Sequence, residues 1–423
     1  MKTTKKLLLL PAILANVFIA CNNDDNIVTR TEDVSKKDVI ENYANIVYSS
    51  YKESYDSALE MQLQINQFVE NPTQEGFESA KSAWLEARDY YGQTEVFRGS
   101  NGPVDFEGDE TWAIANEGQL NAWPLNEAYI DYVSVKNGYT GQGGIYDNSI
   151  IAGTDAITKE TLGNKNEDGG NDEKAISTGW HAIEFLLWGQ DETNPADKIP
   201  GQRPYTDYVI PMEKKNVAAV NNHARRGTYL KVVTELLVDD LKDLVDTWAE
   251  GGAYRDVFLA LDENEALKNI ILGPHFLASE ELSFERMLAS ATSDVGIDNS
   301  GQEDEHSCFS DNTHRDVYMN AKGILNVLFG EYEDGGIDTG ASVYELVKQV
   351  DPVQAAKLKT AIDAAWAAIV VVDNTSKSGT PYDLMIVNES EQNPGIVLAG
   401  HYALKTLGDV ITESAQKFDI GLE

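Results

Sequence analysis

The stretch S-T-G-W-H-A-I-E-F-L-L-W-G at residues 177–189 is an apolar segment that contains one imidazole and one carboxylate. The pattern of its apolar residues predicts a helix. His181 and Glu184 are three residues apart, so on a helix they share one face and can converge on one ion or one proton. Because an unpaired carboxylate is costly among apolar side chains, this pair requires a partner from elsewhere in the chain.

The beginning of the chain has the form of an export signal. Lysines precede an apolar run at residues 7–20 that is too short for a membrane span, and Cys21 follows the run directly. This arrangement resembles the lipobox of bacterial lipoproteins, in which the cysteine becomes the lipidated N-terminus. We predict a signal peptide at residues 1–20, lipidation of Cys21 and an acidic tether at residues 21–36. Ordinary cleavage near Ala20 is the alternative.

The net charge and the cysteine content of the chain limit its binding partners and its covalent cross-links. Loss of residues 1–20 changes the formal net charge at pH 7 from −37 to −40, and a chain of this sign excludes nucleic acid as a partner. Cys308 is the one cysteine besides Cys21, so a lipidated chain forms no internal disulfide. The protein is therefore predicted to be exported and lipid-anchored at the outer membrane, facing the periplasm or the cell surface, with a large core for stability.

Helical periodicity extends along most of the chain. Apolar residues recur at helical spacing in the segments 39–68, 77–91, 212–248, 269–290, 314–332, 353–373 and 396–418. A break at residues 71–73 makes the first two segments a helical hairpin, which is the unit of a helical bundle. The stretch at residues 189–204 is rich in proline and glycine and marks a domain boundary. We predict an all-α fold of two tandem helical-bundle domains, at residues 37–195 and 205–423, with long irregular loops.

Four segments together resemble the imelysin family, also called the iron-regulated protein A group. These segments are residues 84–99, 121–133, 179–189 and 302–316. The G-x-H-x-x-E motif of the family matches Gly179, His181 and Glu184. The resemblance covers essentially all of the chain after the tether. It implies an extracytoplasmic protein of two helical bundles with a site near their junction, in a family that includes metallopeptidases and iron-responsive proteins related to an iron uptake system.

His181 and Glu184 are the first candidates for metal ligands. Imidazole with carboxylates suits iron, and also zinc or copper in a mixed nitrogen and oxygen site. Glu95 is the next candidate, because it closes a helix beside Arg98 in one of the matched segments. The alternative for Glu95 is an ion pair with Arg98 or Arg88. The alternative for His181 and Glu184 is a buried pair that only packs the helix.

A second dense cluster of ligand types lies at residues 303–316. Nitrogen and oxygen ligands could come from Glu305, His306, Asp311, His314 and Asp316. Alternatively, Asp311 caps the following helix, and His314 and Asp316 are ordinary residues of its first turn.

Cys308 and His401 also have side chains that can bind metals, but we expect both to have ordinary structural roles. Cys308 is not expected to be a nucleophile, since a thiol outside the cytoplasm is exposed to oxidation. His401 shares a helix face with apolar residues and is expected in the core.

The favoured function is a cell-envelope protein that binds a divalent or trivalent metal ion, with iron favoured, and acts in iron acquisition with an iron-uptake component and without catalysis. The first alternative is a metal-dependent peptidase at the cell surface. Zinc-peptidase helices of the H-E-x-x-H or H-x-x-E-H type need a second imidazole, but Phe185 follows Glu184 here. The second alternative is a structural envelope protein with a vestigial site.

Overall fold

The described part of the chain is mostly helical. A computed structural model describes residues 33–133, 149–167, 173–210 and 222–422. The predicted signal peptide, Cys21 and the tether as far as residue 32 lie outside the described residues. The predicted all-α fold class is confirmed. No helix in the described ranges is both long and apolar enough to cross a membrane.

The helices and strands are numbered in chain order. The α-helices are α1 Lys36–Glu70, α2 Gln74–Gly92, α3 Glu117–Asn121, α4 Glu127–Ile130, α5 Lys159–Gly163, α6 Gly179–Trp188, α7 His223–Trp248, α8 Ala253–Leu259, α9 Glu263–Phe276, α10 Ala289–Thr292, α11 Thr313–Phe329, α12 Val343–Val350, α13 Pro352–Lys377, α14 Tyr382–Ile386 and α15 Ile396–Ala415. Short 3₁₀ turns occupy Glu95–Phe97, Pro195–Asp197, Tyr205–Tyr208, Ile297–Asn299, Gln302–Asp304 and Gln416–Phe418. The strands β1 (Glu331–Tyr332) and β2 (Ile337–Asp338) form one antiparallel pair.

Helices α1 and α2 form the hairpin that the sequence predicts. Ser35 caps α1 by accepting a hydrogen bond from the backbone N–H of Asp38, whose side chain accepts from the N–H of Ser35 in return. The helix ends at Asn71, and Thr73 then caps α2. The rings of Phe68 and Phe77 pack across the turn with their centroids 4.8 Å apart. Local capping and apolar spacing are therefore sufficient to define both helices.

Helix α1 also packs against α7 and α9, which lie beyond the predicted domain boundary. The residues from Asp33 onward form one compact unit. The division into domains at residues 37–195 and 205–423 stays a prediction.

Two of the predicted helices have different ends in the structure. The helix predicted at 212–248 begins at His223 in the described residues, and positions 211–221 lie outside them. The helix predicted at 314–332 ends at Phe329, because Gly330 adopts a left-handed conformation with a φ of 69°. Tyr332 consequently lies in β1.

The helix predicted at residues 269–290 is divided into three parts. Helix α9 contains Pro274, which cannot donate the backbone hydrogen bond of a regular helix. A π-helix follows at Leu277–Leu288 and continues into α10. Wide helical turns of this kind are frequent at functional sites. Here the π-helix carries Glu281 and Arg286, which lie beside a cavity described below.

Gly179 begins the buried helix α6 because its position excludes a side chain. Its φ is 81°, and a Cβ atom there would lie 2.3 Å from the carbonyl oxygen of Leu120. All residues of α6 are buried, and the indole N–H of Trp84 donates to the carbonyl of Trp180 at 3.1 Å. The glycine of the G-x-H-x-x-E motif therefore allows α6 to approach α3 closely.

Replacement of Gly179 by alanine should lower the free energy of unfolding by about 2–5 kcal/mol, because it combines a left-handed backbone with a steric clash. Gly251 provides a matched control, since its φ is 74° but a Cβ atom there would meet nothing within 4 Å. The Gly251→Ala variant should lose about 1–2 kcal/mol. Urea denaturation of residues 22–423 measures both. Equal losses of unfolding free energy in the two variants would show that the close approach to Leu120 does not affect stability.

Candidate functional site

Two imidazoles face one another in the protein interior. His181 on α6 and His306 in the loop before α11 have their Nε2 atoms 3.3 Å apart, and both side chains are buried. The Nδ1 atom of His181 lies 2.9 Å from an oxygen of Glu184, and the Nδ1 atom of His306 lies 2.9 Å from an oxygen of Asp316. Each ring is thus oriented by a carboxylate on one nitrogen and directs the other nitrogen towards its partner ring.

The structure divides the second predicted cluster between two places. His306 and Asp316 join His181 and Glu184 in the group just described, here called the paired-histidine site. Glu305 and Asp311 belong to a separate acidic group described below. His314 is half-buried, and its Nδ1 atom lies 3.2 Å from the backbone carbonyl oxygen of Asp311.

Arg88 on α2 is a member of the paired-histidine site that the sequence analysis did not assign. Its Nε atom donates to Asp316 at 3.0 Å, and its Nη2 atom lies 3.3 Å from Nδ1 of His306 and 3.5 Å from Nε2 of His181. Its Nη1 atom donates to Asn121. The available signal was an arginine on the apolar face of a helix in a matched segment, where its charge needs a buried partner.

Burial keeps both imidazoles neutral at pH 7. It lowers the pKa of His181 well below the ordinary value, and it lowers the pKa of His306 to about 4, with the charge of Arg286 acting in the same direction. Burial raises the pKa of Glu184 to about 8, although two hydrogen bonds from Ser310, at 2.7 and 3.0 Å, oppose the shift. The two rings therefore offer nitrogen lone pairs and not positive charge.

Asp316 differs from Glu184 because it is held ionised. Burial alone would raise its pKa, but the charge of Arg88 and the hydrogen bond with His306 keep the pKa well below the ordinary value. Ser307 also donates to Asp316 at 2.6 Å. The positive charge of Arg88 is thereby balanced within the site.

Glu95, the third predicted ligand, lies in an ion-pair network beside the paired-histidine site. One of its oxygens accepts from Arg286 and lies 3.8 Å from Arg98. The other accepts from Asn121 at 3.3 Å, and Asn121 in turn contacts Arg88. Burial would raise the pKa of Glu95, but Arg286 and the other nearby guanidinium groups lower it to about 2. A role for Glu95 as a metal ligand stays a prediction.

A polar cavity of about 700 Å³ lies next to His306. Besides His306, its lining includes Trp123, Asn121, Arg98, Arg286, Glu117 and Glu281. The ring of Trp123 packs on that of His181, with their centroids 4.8 Å apart. His306 is therefore the imidazole of the pair that lines the cavity, whereas His181 lies behind the indole.

A second group of carboxylates, here called the aspartate cluster, consists of Asp191, Asp311 and Asp383. Their ligand oxygens all lie within 4.8 Å of one another, and in the described residues this is the only such group of three histidine, cysteine or carboxylate side chains. Burial and neighbouring carboxylates raise the pKa of Asp311 to about 8. Burial likewise raises the pKa of Asp383 to about 7. Asp311 is a candidate ligand from the sequence but the other two are not, because no local motif connects these three positions.

Helix α3, which carries Asn121 and Glu117, is hydrogen-bonded to Asp240 on α7. The side-chain amide of Gln119 donates to both oxygens of Asp240 at 2.9 Å. Burial raises the pKa of Asp240 to about 7 despite these hydrogen bonds. One of the contacts between α3 and α7 therefore involves a carboxyl group that changes charge near neutral pH.

The mostly helical fold, the G-x-H-x-x-E motif and the two carboxylate-oriented imidazoles together point to one class of protein, which a family model identifies. The model described as imelysin, of the peptidase M75 type, matches residues 47–399. The chain belongs to the imelysin family.

Known relatives agree with this assignment. Iron-regulated protein A from Synechococcus elongatus is 23% identical over 369 residues, which are 84% of this chain and 80% of that protein. A crystal structure described as an iron-regulated protein A precursor from Parabacteroides distasonis matches with a TM-score of 0.64 at 16% identity, over 92% of this chain and 97% of that one. An imelysin-like protein from Psychrobacter arcticum matches with a TM-score of 0.55 at 13% identity, over 93% and 99%. These structures share the fold.

The Asp240→Asn variant should show a weaker pH dependence of stability than the parent chain. Because the pKa of Asp240 is raised from 3.8 to about 7, the folded chain holds a proton that the unfolded chain releases. The contribution of this proton to the free energy of unfolding is fully present below pH 3.8, the pKa of Asp240 in the unfolded chain. It is lost as the pH rises through about 7, the pKa in the folded chain. From pH 6 to 8, the free energy of unfolding of the parent should fall by about 1.4 kcal/mol more than that of the variant.

Urea denaturation at a series of pH values provides this comparison. Asp409→Asn, at an exposed position on α15, is the control and should retain the pH dependence of the parent. If the free energy of unfolding of Asp240→Asn and Asp409→Asn changed equally with pH, the pH dependence could not be assigned to Asp240.

Proposed function

We propose that this chain is an exported, lipid-anchored protein of the cell envelope that binds a transition-metal ion at the paired-histidine site, with iron favoured over zinc or copper. In this proposal it acts in iron acquisition, with an iron-uptake component as its partner, and does not catalyse a covalent reaction. The proposal is carried by the facing Nε2 atoms of His181 and His306.

The separation of these two nitrogens fits a shared metal ion. Imidazole nitrogens bind such ions at about 2.0–2.1 Å, which places two ligands of a tetrahedral site about 3.3–3.4 Å apart. The Nε2 atoms of His181 and His306 are 3.3 Å apart. Glu184 and Asp316 orient the Nδ1 side of each ring, as the outer partners of metal-binding histidines do. A bound metal would add a Lewis acid at the edge of the cavity.

Arg88 limits how tightly a cation is held. Its guanidinium group lies 3.5 Å from Nε2 of His181 and repels a positive ion, although Asp316 balances much of this charge. His306 lines the polar cavity, so further ligands can reach the ion from that side. This combination suits capture and release of an ion better than permanent retention.

The relatives support iron as the ion. The chain shares its family and most of its length with proteins named iron-regulated protein A. Mixed imidazole and carboxylate surroundings are compatible with iron, and zinc and copper are its chemical competitors.

A metal-dependent peptidase is the second candidate, and one observation favours it. Glu117 lines the same cavity as His306, and burial raises its pKa to about 7, a value suited to a general base. A catalytic zinc needs three protein ligands. In the described residues, three ligand side chains converge within 4.8 Å at the aspartate cluster and not at the paired histidines.

Metal retention should depend on both histidines of the site. We expect residues 22–423, offered iron, zinc and copper in competition, to retain about one ion per chain after gel filtration. His181→Ala and His306→Ala should each lower the affinity at least about tenfold, because each removes one nitrogen ligand. His275→Ala is the control, since it removes a half-buried imidazole outside the site. Elemental analysis by mass spectrometry gives the bound metal.

Two outcomes would decide against the proposal. Metal retention no stronger than the weak binding of an acidic surface, or equal retention in the three histidine variants, would leave the pair with a packing role. A preference for zinc together with peptide hydrolysis that is lost in Glu117→Gln would favour the peptidase.

Lipid anchoring should depend on Cys21 alone. In a bacterial host, the parent chain should incorporate labelled fatty acid and partition into the detergent phase of Triton X-114. Cys21→Ser should lose both properties. Cys308→Ser, which changes the buried free cysteine, should keep them. An unlabelled parent chain in the aqueous phase would support ordinary cleavage near Ala20.

A further inference from the structure

We propose that the aspartate cluster of Asp191, Asp311 and Asp383, with Glu305 near it, is a binding site for a hard divalent cation, and that Ca²⁺ is the ion it fits best. The site is separate from the paired histidines in both its residues and its chemistry. It goes beyond the proposed function and does not depend on it.

The geometry of the cluster matches that of an oxygen-liganded cation. Asp191 follows α6, Asp311 precedes α11 and Asp383 lies on α14, so three separate segments bring their carboxylates together. Their ligand oxygens lie within 4.8 Å of one another. Oxygen ligands bind Ca²⁺ at about 2.3–2.6 Å and therefore lie no more than about 5 Å apart across the ion. A set made only of oxygen atoms favours Ca²⁺ over the softer transition metals.

Glu305 provides an independent indication that a ligand is needed. Its side chain is 1% exposed, and its Oε2 atom has no hydrogen-bond partner. The charges of Asp383, Asp311 and Asp191 act on it, so Glu305 lies near the cluster, although it is not one of the three side chains whose oxygens converge within 4.8 Å. The Oδ1 atom of Asp311 is also buried without a hydrogen-bond partner. Such oxygens are costly in the interior unless a cation or a donor satisfies them.

Two other buried carboxylates of this chain are paired with arginine. Asp131 lies 2.6 Å from Arg226, and Asp316 lies 3.0 Å from Arg88. By contrast, no lysine or arginine in the described ranges forms an ion pair with Asp311, Asp383 or Glu305. The charges acting on Asp311 are those of Asp383, Asp191 and Glu184, which are all acidic. A bound cation supplies the missing positive charge.

The position of the cluster gives a bound ion a structural consequence. Asp311 is adjacent to Ser310, whose backbone N–H and hydroxyl both donate to Glu184 of the paired-histidine site. Glu305 is adjacent to His306. A cation held by Asp311, close to Glu305, would therefore help to order the short loop that carries His306.

The test is calcium binding by metal-stripped residues 22–423, measured by calorimetry and by thermal unfolding. We expect one Ca²⁺ per chain and a rise in the melting temperature on addition of Ca²⁺. Asp383→Asn should reduce the affinity at least about tenfold and abolish the rise, because it removes a charged ligand while keeping its shape. Glu305→Gln should act in the same direction. Asp409→Asn, which removes an exposed charge on α15, should behave as the parent.

The outcomes separate this proposal from the proposed function. Weak binding of several Ca²⁺ ions that is equal in the parent, Asp383→Asn and Asp409→Asn would show surface binding only and would overturn the site. His181→Ala should keep its Ca²⁺ site even where it loses a transition metal. Loss of Ca²⁺ binding in His181→Ala with retention in Asp383→Asn would assign the ion to the histidines and also reject the proposal.

Discussion

The arrangement of the paired-histidine site depends on one buried positive charge. The guanidinium group of Arg88 is hydrogen-bonded to Asp316 on α11 and to Asn121 on α3, and it contacts both imidazoles. Loss of one partner from such a buried pair typically costs about 3–5 kcal/mol, because the other charge is left without compensation. The hydrogen bonds of Arg88 therefore connect α2, α3 and α11. The same guanidinium group lies within 3.5 Å of both His181 and His306.

The local parts of this structure could be predicted from the sequence. The hairpin of α1 and α2 follows from apolar spacing and from caps at Ser35 and Thr73, which act within a few residues. The pairing of His181 with Glu184 follows from the three-residue interval on a helix, and the structure places them 2.9 Å apart. The all-α class follows from the same periodicity over many segments. Each of these features is set by interactions between near neighbours in the chain.

The parts that could not be predicted depend on distant contacts. His181 and His306 are 125 positions apart, and Arg88 and Asp316 are 228 positions apart. Periodicity and motif spacing carry no information about such pairs, so the sequence alone assigns His306 to a separate cluster. The π-helix at Leu277–Leu288 was missed for a related reason, since a wide turn has nearly the apolar pattern of a regular helix.

Two groups of buried carboxylates in this chain differ in the charges that surround them. Around Asp316 and Glu95, arginine side chains provide the positive charge, and the imidazoles nearby stay neutral. Around Asp311 and Glu305 the neighbouring charges are acidic, and oxygens remain without donors. Neutral nitrogens suit a transition metal that competes with Arg88, whereas clustered oxygens suit a hard cation that replaces protons. Because the loop between Glu305 and Asp311 contributes to both groups, the structure that orders one of them also positions the other.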